Sequence, residues 1–306
     1  DCMTNPLIVV RPVSVTDAML INTDVTEADY AAWSAVTTYA LGDRCIVTTD
    51  VHLIYESLAA GNLNHNPVTD ATNWIEVSPT NRWALFDGSN STVTTAPSGS
   101  MTYTLRPVGG INAFAALNLT GVNTVRVRLT HATLGTVYDT TTDISSTPPD
   151  VGWWAWFFGT RTAPSLMVLT DLPGILGCDL IVDFSGTVDM SVGVVLFGEA
   201  RSVGVGLLQG ARVGIVDYSR KETDTWGNTV LVQRAFAKRA NFSIPIMSGQ
   251  VDSVIDYLAT LRAIPCLWIG SGQYASSVVY GFYKAFEVVI AYSTVSDCSL
   301  DIEGMT

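Results

Sequence analysis

The chain has 306 residues, of which 14% are charged and 48% are hydrophobic, and its formal net charge is −12. This length allows two or three domains with substantial cores, and the acidic balance argues against nucleic acid as a partner because phosphates would be repelled. No apolar run reaches the roughly 18 residues that a membrane-spanning helix needs, so we expect no membrane span.

Charge and composition are unevenly distributed along the chain. Residues 1–200 hold seven Lys and Arg against nineteen Asp and Glu, whereas residues 201–306 hold nine of each. Abundant Thr, Val, Ser and Gly are typical of β-sheet proteins. We therefore predict a mainly β fold with a small aromatic-cored β module, a jelly-roll-like β-sandwich and a C-terminal α+β or β domain with one helix.

The cysteines and histidines form no recognisable metal or disulfide pattern. Cys2, Cys45, Cys178, Cys266 and Cys298 are scattered without CxxC spacing, and we interpret them as buried small hydrophobes. The three histidines are too few and too isolated for a histidine metal cluster. We predict no metal and no cofactor.

Residues 1–32 are predicted to hold an N-terminal strand and a short helix. The run LIVV at residues 7–10 is apolar and rich in β-branched side chains, which favours a strand. Thr26 followed by Asp29 three residues later is typical of a helix N-terminus and predicts a capped helical turn over residues 26–32.

Residues 33–78 are predicted to form a compact module. About 40 residues hold together only when large rings supply the buried area, so Trp33, Tyr39, Tyr55 and Trp74 would build a miniature core. Gly42 predicts a turn between two short strands. One ordered set resembles the small chitin-binding modules of chitinases and many phage proteins: Trp33, Tyr39, Gly42, Asp43, Val47, Tyr55, Gly61, Pro67 and Trp74.

The resemblance implies that this module could bind carbohydrate. In that family, exposed aromatic residues after the second Tyr stack on sugar rings, but the corresponding segment here, ESLAA at residues 56–60, contains none. Two interpretations therefore stay open for the four aromatics, a core role and a carbohydrate-binding role: Trp33, Tyr39, Tyr55 and Trp74.

Residues 78–81 predict a linker, and residues 81–200 predict a β-sandwich in which turn clusters alternate with strands. In the segment TVRVRL, alternation places Val125, Val127 and Leu129 on one face and two arginines on the other. Residues 178–184 and 192–198 fit two closing strands of a jelly roll. This pattern resembles galactose-binding-like sandwiches, which bind sugars or act as spacers.

Residues 153–158, WWAWFF, are the most aromatic stretch of the chain. In a strand, Trp154, Trp156 and Phe158 would lie on one side, with Trp153 and Phe157 on the other. Aromatic side chains on both faces favour a core or a subunit interface, and a sugar-stacking platform is the alternative.

Residues 201–306 are predicted to be a separate unit with one helix and several strands. Residues 249–262 predict the helix, because their large apolar residues recur at helical spacing. The predicted strands are residues 241–246, ended by a proline, and residues 266–270, 278–283, 286–292 and 299–304.

Residues 217–239 concentrate basic charge in an acidic chain. The segment DTWGN at residues 224–228 predicts a turn, and TVLV at residues 229–232 predicts a strand, so we expect an exposed hairpin. We interpret this hairpin as a contact surface. Its candidate interface residues are Arg220, Lys221, Trp226, Arg234, Lys238 and Arg239.

The C-terminal part resembles tailed-phage structural proteins of the tail tip, which include distal tail and baseplate proteins. The segments that carry the resemblance are DYSRKETDTWGNTVLVQRAFAKR, RAIPCLWIG, VVYGFYKAFEVVIAY and CSLDIEG. The resemblance implies a virion component that forms a ring of its own copies around the tail axis, with its upstream modules facing outward. The implied partners are other tail proteins (tail tube, hub and tail fibres), with host surface glycans as a further candidate.

Catalytic motifs are absent from the sequence: no GxSxG, HExxH, Walker or Rossmann spacing occurs. Asp179 and Asp183 would share a strand face, but at about 13 Å they exceed the roughly 5–9.5 Å between glycosidase carboxylates. We therefore predict that the chain is not an enzyme. The alternatives to a structural tail protein are an adhesin that recognises host-cell glycans and a glycan-degrading enzyme.

Overall fold

The structure, a computed structural model, describes residues 6–145, 153–154, 163–208, 210–223, 225–227, 229–271, 274–289 and 294–305. The chain is mainly β, as predicted, and the described strand pairs are antiparallel. It divides into two compact units: the terminal unit (Asp1–Val13 and Phe197–Thr306) and the central unit (Ser14–Leu196).

The elements are numbered in chain order. The strands are β1 (Leu7–Pro12), β2 (Leu20–Thr23), β3 (Thr38–Tyr39), β4 (Arg44–Val47), β5 (Leu53–Ser57), β6 (Asn62–Leu63), β7 (Trp74–Pro79), β8 (Thr94–Ala96), β9 (Ser100–Leu105), β10 (Ala113–His131), β11 (Gly135–Asp143), β12 (Leu166–Leu169), β13 (Cys178–Val203), β14 (Arg212–Asp217), β15 (Arg220–Thr223), β16 (Thr229–Val232), β17 (Phe236–Met247), β18 (Cys266–Ile269), β19 (Val278–Val289) and β20 (Val295–Gly304). An α-helix spans Val251–Thr260, Trp153 and Trp154 are also helical, and short 3-10 helices lie at Asp17–Met19, Ala84–Phe86, Ser248–Gln250 and Ala275–Ser277. No helix in the described part of the chain is long and apolar enough to span a membrane.

The sheet of the terminal unit contains the N-terminal strand. Its order is β13, β1, β18, β19, β20, β17 and β14, where only the last part of β13 belongs to this unit. In β1, Leu7 lies opposite Val203 of β13, and Ile8 lies opposite Ile269 of β18. The structure thus divides the chain differently from the predicted boundaries of 1–32 and 201–306, because β1 completes the C-terminal sheet.

The predicted helix of the terminal unit is present and packs on this sheet. Val254 and Leu258 lie in one core cluster with Phe242 and Trp268. At its C-terminal end, the Nε of Arg262 donates a hydrogen bond of 3.1 Å to the carbonyl of Ala259. A helix of 10 residues is marginal in isolation, so burial of its apolar face accounts for its stability.

Some predicted strands are longer than expected or fused. Residues 278–283 and 286–292 are predicted as two strands, of which residues 290–292 lie outside the described residues. In the structure, Val278–Val289 is one strand, β19, with a bulge between Tyr283 and Ala285. In the same way, residues 178–184 and 192–198 both lie in β13. Hydrogen bonding to neighbouring strands holds these segments together, and local sequence does not reveal it.

Pro245 does not end its strand, contrary to the prediction. It lies inside β17 opposite Asp297 of β20. Proline has no backbone N–H to contribute to the ladder, but its carbonyl still accepts a hydrogen bond of 3.0 Å from the amide of Val205. The strand therefore continues through the proline to Met247.

The predicted helical turn over residues 26–32 is wrong, because the structure has no helix there. The carboxylate of Asp29 accepts hydrogen bonds of 3.2 Å from the amide of Asn81. The carboxylate of Glu27 accepts a hydrogen bond from the hydroxyl of Thr80 at 2.8 Å. Both acidic side chains therefore accept hydrogen bonds from residues distant in the sequence and do not cap a local helix.

The predicted linker at residues 78–81 is also wrong. β7 extends to Pro79, and Thr80 is fully buried. The amide of Thr80 donates to the carbonyl of His52 at 2.9 Å, and the side chain of Asn81 pairs with the backbone of Thr95. A segment with this many backbone partners is a fixed part of the central unit.

The central unit contains a small module and a larger set of strands. The small module has the pairs β3–β6 and β4–β5–β7, and the larger set runs β2, β9, β13, β10 and β11, with β8 on β13 and β12 on β10. In β10, Val125, Val127 and Leu129 are fully buried, which confirms the predicted alternation.

Acidic and basic side chains on the strands of the central unit pair with each other. Arg128 contacts Asp183 at 2.6 Å, and the Nε of Arg106 contacts Asp179 at 2.7 Å. Each of the two aspartates considered as a catalytic pair is therefore held by its own arginine.

Of the aromatic stretch at residues 153–158, the structure describes Trp153 and Trp154. They are helical and exposed instead of extended and buried, and their rings meet edge to face at 5.9 Å. The expectation of a strand with a core role is thus wrong for these two residues. Trp156, Phe157 and Phe158 lie outside the described residues.

The prediction that the cysteines are buried is confirmed for Cys45, Cys178, Cys266 and Cys298, which are also free of disulfides. Burial raises the pKa of Cys45 and of Cys298 to about 11 and that of Cys266 to about 12. Cys2 lies outside the described residues.

We predict that these four thiols resist alkylation in the folded protein. Thiolate is the reactive form, and a pKa of about 11, as for Cys45 and Cys298, leaves about one thiol in a thousand ionised at pH 8. Burial also raises the pKa of Cys178 and shields its sulfur. In a Cys2→Ser chain, mass spectrometry should count no iodoacetamide adducts after brief treatment at pH 8 and four after unfolding in urea. Equal adduct counts in native and unfolded protein would contradict the burial.

Candidate functional site

The four aromatic residues predicted as a core or as a sugar site form the core of the small module. Tyr39, Tyr55 and Trp74 are buried together with Cys45, and Trp33 packs against them. Trp74 is 2% exposed, and its ring meets that of Tyr39 edge to face at 5.0 Å. Tyr39, Tyr55 and Trp74 are therefore core residues without a ring face open to a sugar, whereas Trp33 is partly buried.

Gly42 and Asp43 form the turn that closes this module, as the sequence predicts. Gly42 has φ +86°, and the carboxylate of Asp43 accepts a hydrogen bond of 2.7 Å from the amide of Ala40. The indole of Trp74 donates to the carbonyl of His65 at 2.9 Å. The polar edge of the buried ring is thereby satisfied, which is expected of a core tryptophan.

Residues 212–241 form one long hairpin, called the arm from here on. At its base, Arg212 of β14 lies opposite Asn241 of β17. Farther out, Arg220 of β15 lies opposite Val232 of β16. At the tip, Gly227 has φ +84°, which suits the predicted turn, whereas residues 224 and 228 lie outside the described residues.

The outer part of the arm is a ribbon of only two strands. β20 pairs with β17 from Arg239 onward, and β15 and β16 form a separate two-stranded sheet. From Ile215 to Thr223 the ribbon is roughly 26 Å long, at about 3.3 Å per residue. A two-stranded hairpin is marginally stable by itself in water, because it has no second layer against which to bury a face.

The arm exposes many large apolar side chains. Trp226 at the tip is 87% exposed and Leu231 is 77% exposed. The exposed apolar set of the arm is Val213, Ile215, Tyr218, Trp226, Val230, Leu231, Val232 and Phe236. Many exposed large apolar side chains, set among charged residues, are typical of a protein–protein contact surface.

The predicted interface cations fall into two groups. Arg239 forms two hydrogen bonds to the carboxylate of Asp301, at 3.1 and 2.8 Å, and this contact raises the pKa of Arg239. The Nε of Arg220 lies 3.5 Å from Glu222, its neighbour on β15. These two arginines are therefore already engaged within the arm and its base.

The remaining three cations, Lys221, Arg234 and Lys238, have no ion-pair partner among the residues that the structure describes. All three are exposed. The backbone amide of Arg234 donates to the hydroxyl of Ser219 at 3.1 Å, which fixes its position where β16 leads into β17. These are the charges that the arm can offer to a partner.

The base of the arm is held by residues that the sequence did not single out. The hydroxyl of Tyr218 donates to the carboxylate of Glu303 at 3.1 Å, and Lys284 contacts the same carboxylate at 3.1 Å. Lys284 is the main cause that lowers the pKa of Glu303. No sequence signal connects these residues, because they lie on three different segments of the sheet.

A second cluster that the sequence did not predict lies in the central unit around Glu27. Its carboxylate contacts the Nδ1 of His52 at 2.9 Å and the hydroxyl of Thr80 at 2.8 Å, and Arg82 lies 3.5 Å away. His52 stacks on Trp83 with ring centroids 4.2 Å apart. Among the described residues, no group of His, Cys, Asp or Glu is arranged to hold a metal ion.

Substitution of two tryptophans tests the core position of Trp74 and the exposed position of Trp226. We expect Trp74→Ala to lower the free energy of unfolding by about 3–5 kcal/mol, because it empties the core of the small module. Trp226→Ala should change stability by about 0.5 kcal/mol or less, because its side chain is exposed. Urea unfolding of both variants measures this difference. A stable Trp74→Ala chain that has lost affinity for chitin would contradict the core role.

The whole chain, which contains the arm and the Glu27 cluster, was compared with known proteins. No protein-family model, no curated protein and no solved structure matches it. We therefore infer function from the geometry of the described residues and from the resemblances of the sequence.

Proposed function

We propose that the chain is a structural subunit of a bacteriophage tail tip or baseplate that assembles through the arm with its own copies and with neighbouring tail proteins. The observation that carries this proposal is the two-stranded arm, with exposed apolar side chains and three cations that lack partners in the described structure. The assignment to a virion rests on the resemblance of the C-terminal segments. The geometry of the arm supports only the narrower statement that the arm is an association surface.

The apolar side chains of the arm supply the attraction. Burying one large apolar side chain contributes about 1.5–3 kcal/mol, and tryptophan is enriched among the residues that dominate interface energies. Trp226 and Leu231 lie near the tip, where a partner can surround them. β14 adds an edge strand at the end of the sheet, whose outward backbone groups can accept a further strand.

The charge distribution favours an acidic partner surface. Residues 14–196 hold six Lys and Arg against seventeen Asp and Glu, so the central unit of another copy is one such surface. Lys221, Arg234 and Lys238 would meet it with opposite charge. Complementary charge of this kind speeds association and fixes the register of the partners.

We predict that Leu231→Ser weakens self-association at least tenfold, because an anchoring side chain is lost from the contact. Sedimentation velocity over a range of protein concentrations measures the effect. Leu134→Ser is the matched control, because Leu134 is similarly exposed but lies in the β10–β11 turn of the central unit. Equal effects of the two substitutions would argue against the arm.

Charge reversal at the arm gives an independent prediction. We expect Arg234→Glu combined with Lys238→Glu to weaken assembly without unfolding, because neither side chain has an ion-pair partner in the described structure. Circular dichroism checks the fold, and added salt should weaken the wild-type assembly. A chain that stays monomeric at every concentration and is absent from virions would overturn the proposal.

An adhesin that recognises host-cell glycans is the second candidate function. The observation in its favour is the exposed pair Trp153 and Trp154, whose rings are accessible where those of the small module are not. Retention of the full chain on immobilised chitin, compared with a Trp153→Ala/Trp154→Ala chain, separates the two functions. The prediction that the chain is not an enzyme stays a prediction.

A further inference from the structure

A pocket of about 350 Å³ lies at the base of the arm, where β14 is the last strand in the order of the sheet. Gly214 lies opposite Arg239 of β17, and Arg212 lies opposite Asn241. Residues directly opposite each other, and residues two apart on a strand, point to the same face. These four side-chain positions therefore share one face. The full lining is Arg212, Val213, Gly214, Ile215, Arg239 and Asn241.

The pocket lies on the face of β17 that points away from the core. Ala240 and Phe242 alternate with the pocket residues along β17, and both are fully buried in the core of the terminal unit. Arg212 is exposed, and the side chain of Arg239 is 57% exposed. A partner can therefore reach the polar groups of the pocket from solvent.

Gly214 leaves the space at the centre of this pocket open. No heavy atom lies within 4 Å of the position that a Cβ would take on Gly214. The backbone does not require glycine there, because Gly214 lies within β14 and is not among the residues with positive φ. Glycine weakens the interior of a strand and often marks a place where a ligand or another chain approaches closely.

Three side chains around Gly214 have donor groups to offer. In the part of the chain that the structure describes, Arg212 and the side-chain amide of Asn241 form no hydrogen bond or ion pair. Arg239 is held by Asp301 through Nε at 3.1 Å and Nη2 at 2.8 Å. This contact fixes the guanidinium group and leaves the donors of its Nη1 available.

These donors suit a carboxylate. Guanidinium groups match the planar carboxylate in shape and charge, as the bond between Arg239 and Asp301 already illustrates within the chain. Asp301 balances one of the two arginines, and Arg212 supplies the remaining positive charge. The nearby Glu303 is paired with Lys284 at 3.1 Å, so it does not cancel that charge.

We propose that the pocket around Gly214 binds the carboxylate of an acidic side chain from another copy of the chain. Arg212, the Nη1 of Arg239 and the amide of Asn241 donate to its oxygens, and the missing side chain of Gly214 lets it approach the sheet. The central unit supplies such side chains, because residues 14–196 hold seventeen Asp and Glu against six Lys and Arg. This inference rests on the proposed function, since it names one contact in assembly through the arm.

Gly214→Val fills the pocket without changing any charge. Valine favours strands, so the melting temperature should equal or exceed that of the wild type, while self-association weakens about tenfold or more because the carboxylate is excluded. Thermal unfolding and sedimentation velocity measure the two effects. Gly109→Val is the matched control, because Gly109 is an exposed glycine of the central unit with equally open space and no positive φ.

Arg212→Gln removes the charge while keeping a polar side chain. We expect self-association to weaken about tenfold, because a hydrogen-bonded ion pair is lost, and to depend less on salt than in the wild type. The double variant with Gly214→Val should lose little more than Gly214→Val alone, because both changes remove the same contact. Fully additive losses, or an unchanged salt dependence of Arg212→Gln, would overturn the assignment.

Leu231→Ser separates this inference from the proposed function. If Leu231→Ser weakens self-association but Gly214→Val leaves it unchanged, the pocket is not a contact and the arm remains the association surface. Equal weakening by Gly214→Val and Gly109→Val would also overturn the pocket. A wild-type chain that is monomeric at every concentration would overturn the proposed function, and this contact with it.

Discussion

The pairing of β1 on both of its edges is the constraint on which the terminal unit depends. β1 lies between β13 and β18, and its residues Leu7, Val9 and Val10 are fully buried. The backbone then leaves this sheet, and its amide at Val13 donates to the carbonyl of Phe197 at 2.9 Å. Everything from Ser14 to Leu196 is thus an insertion between two adjacent backbone positions of one sheet. Closing so long a loop costs chain entropy before the sheet can form, so topology makes this unit slow to fold.

The parts of the fold that could be predicted are those whose signal is local. The helix follows from apolar spacing within ten residues, and the alternation in β10 follows from neighbours two residues apart. The errors fall where distant contacts decide the structure. Glu27 and Thr80 are 53 residues apart in the chain, yet they share a hydrogen bond. This bond joins the segment predicted as a helical turn to the segment predicted as a linker. No periodicity in either segment could reveal that contact.

In the candidate sites, too, local sequence signals were predictable and distant contacts were not. Turn residues and clustered cations were enough to predict the hairpin of the arm. Which of its cations already form an ion pair within the chain was not predictable. Arg239 is neutralised by Asp301, which lies 62 residues farther along the chain. The chitin-binding resemblance marked four aromatic residues correctly as a group, and only their burial decides between a core and a sugar platform. Arg212 and Gly214 belong to no motif, so the pocket that they line had no signal in the sequence.

The cations of the arm also govern what happens when two free chains meet. An unpaired strand edge with apolar side chains is a template on which identical chains can stack. Two arms that approach each other would each present Lys221, Arg234 and Lys238, and like charges at close range repel. Like charge on two arms therefore disfavours stacking of one arm on another. The same three side chains would thus limit the stacking of free chains while favouring contact with an acidic surface.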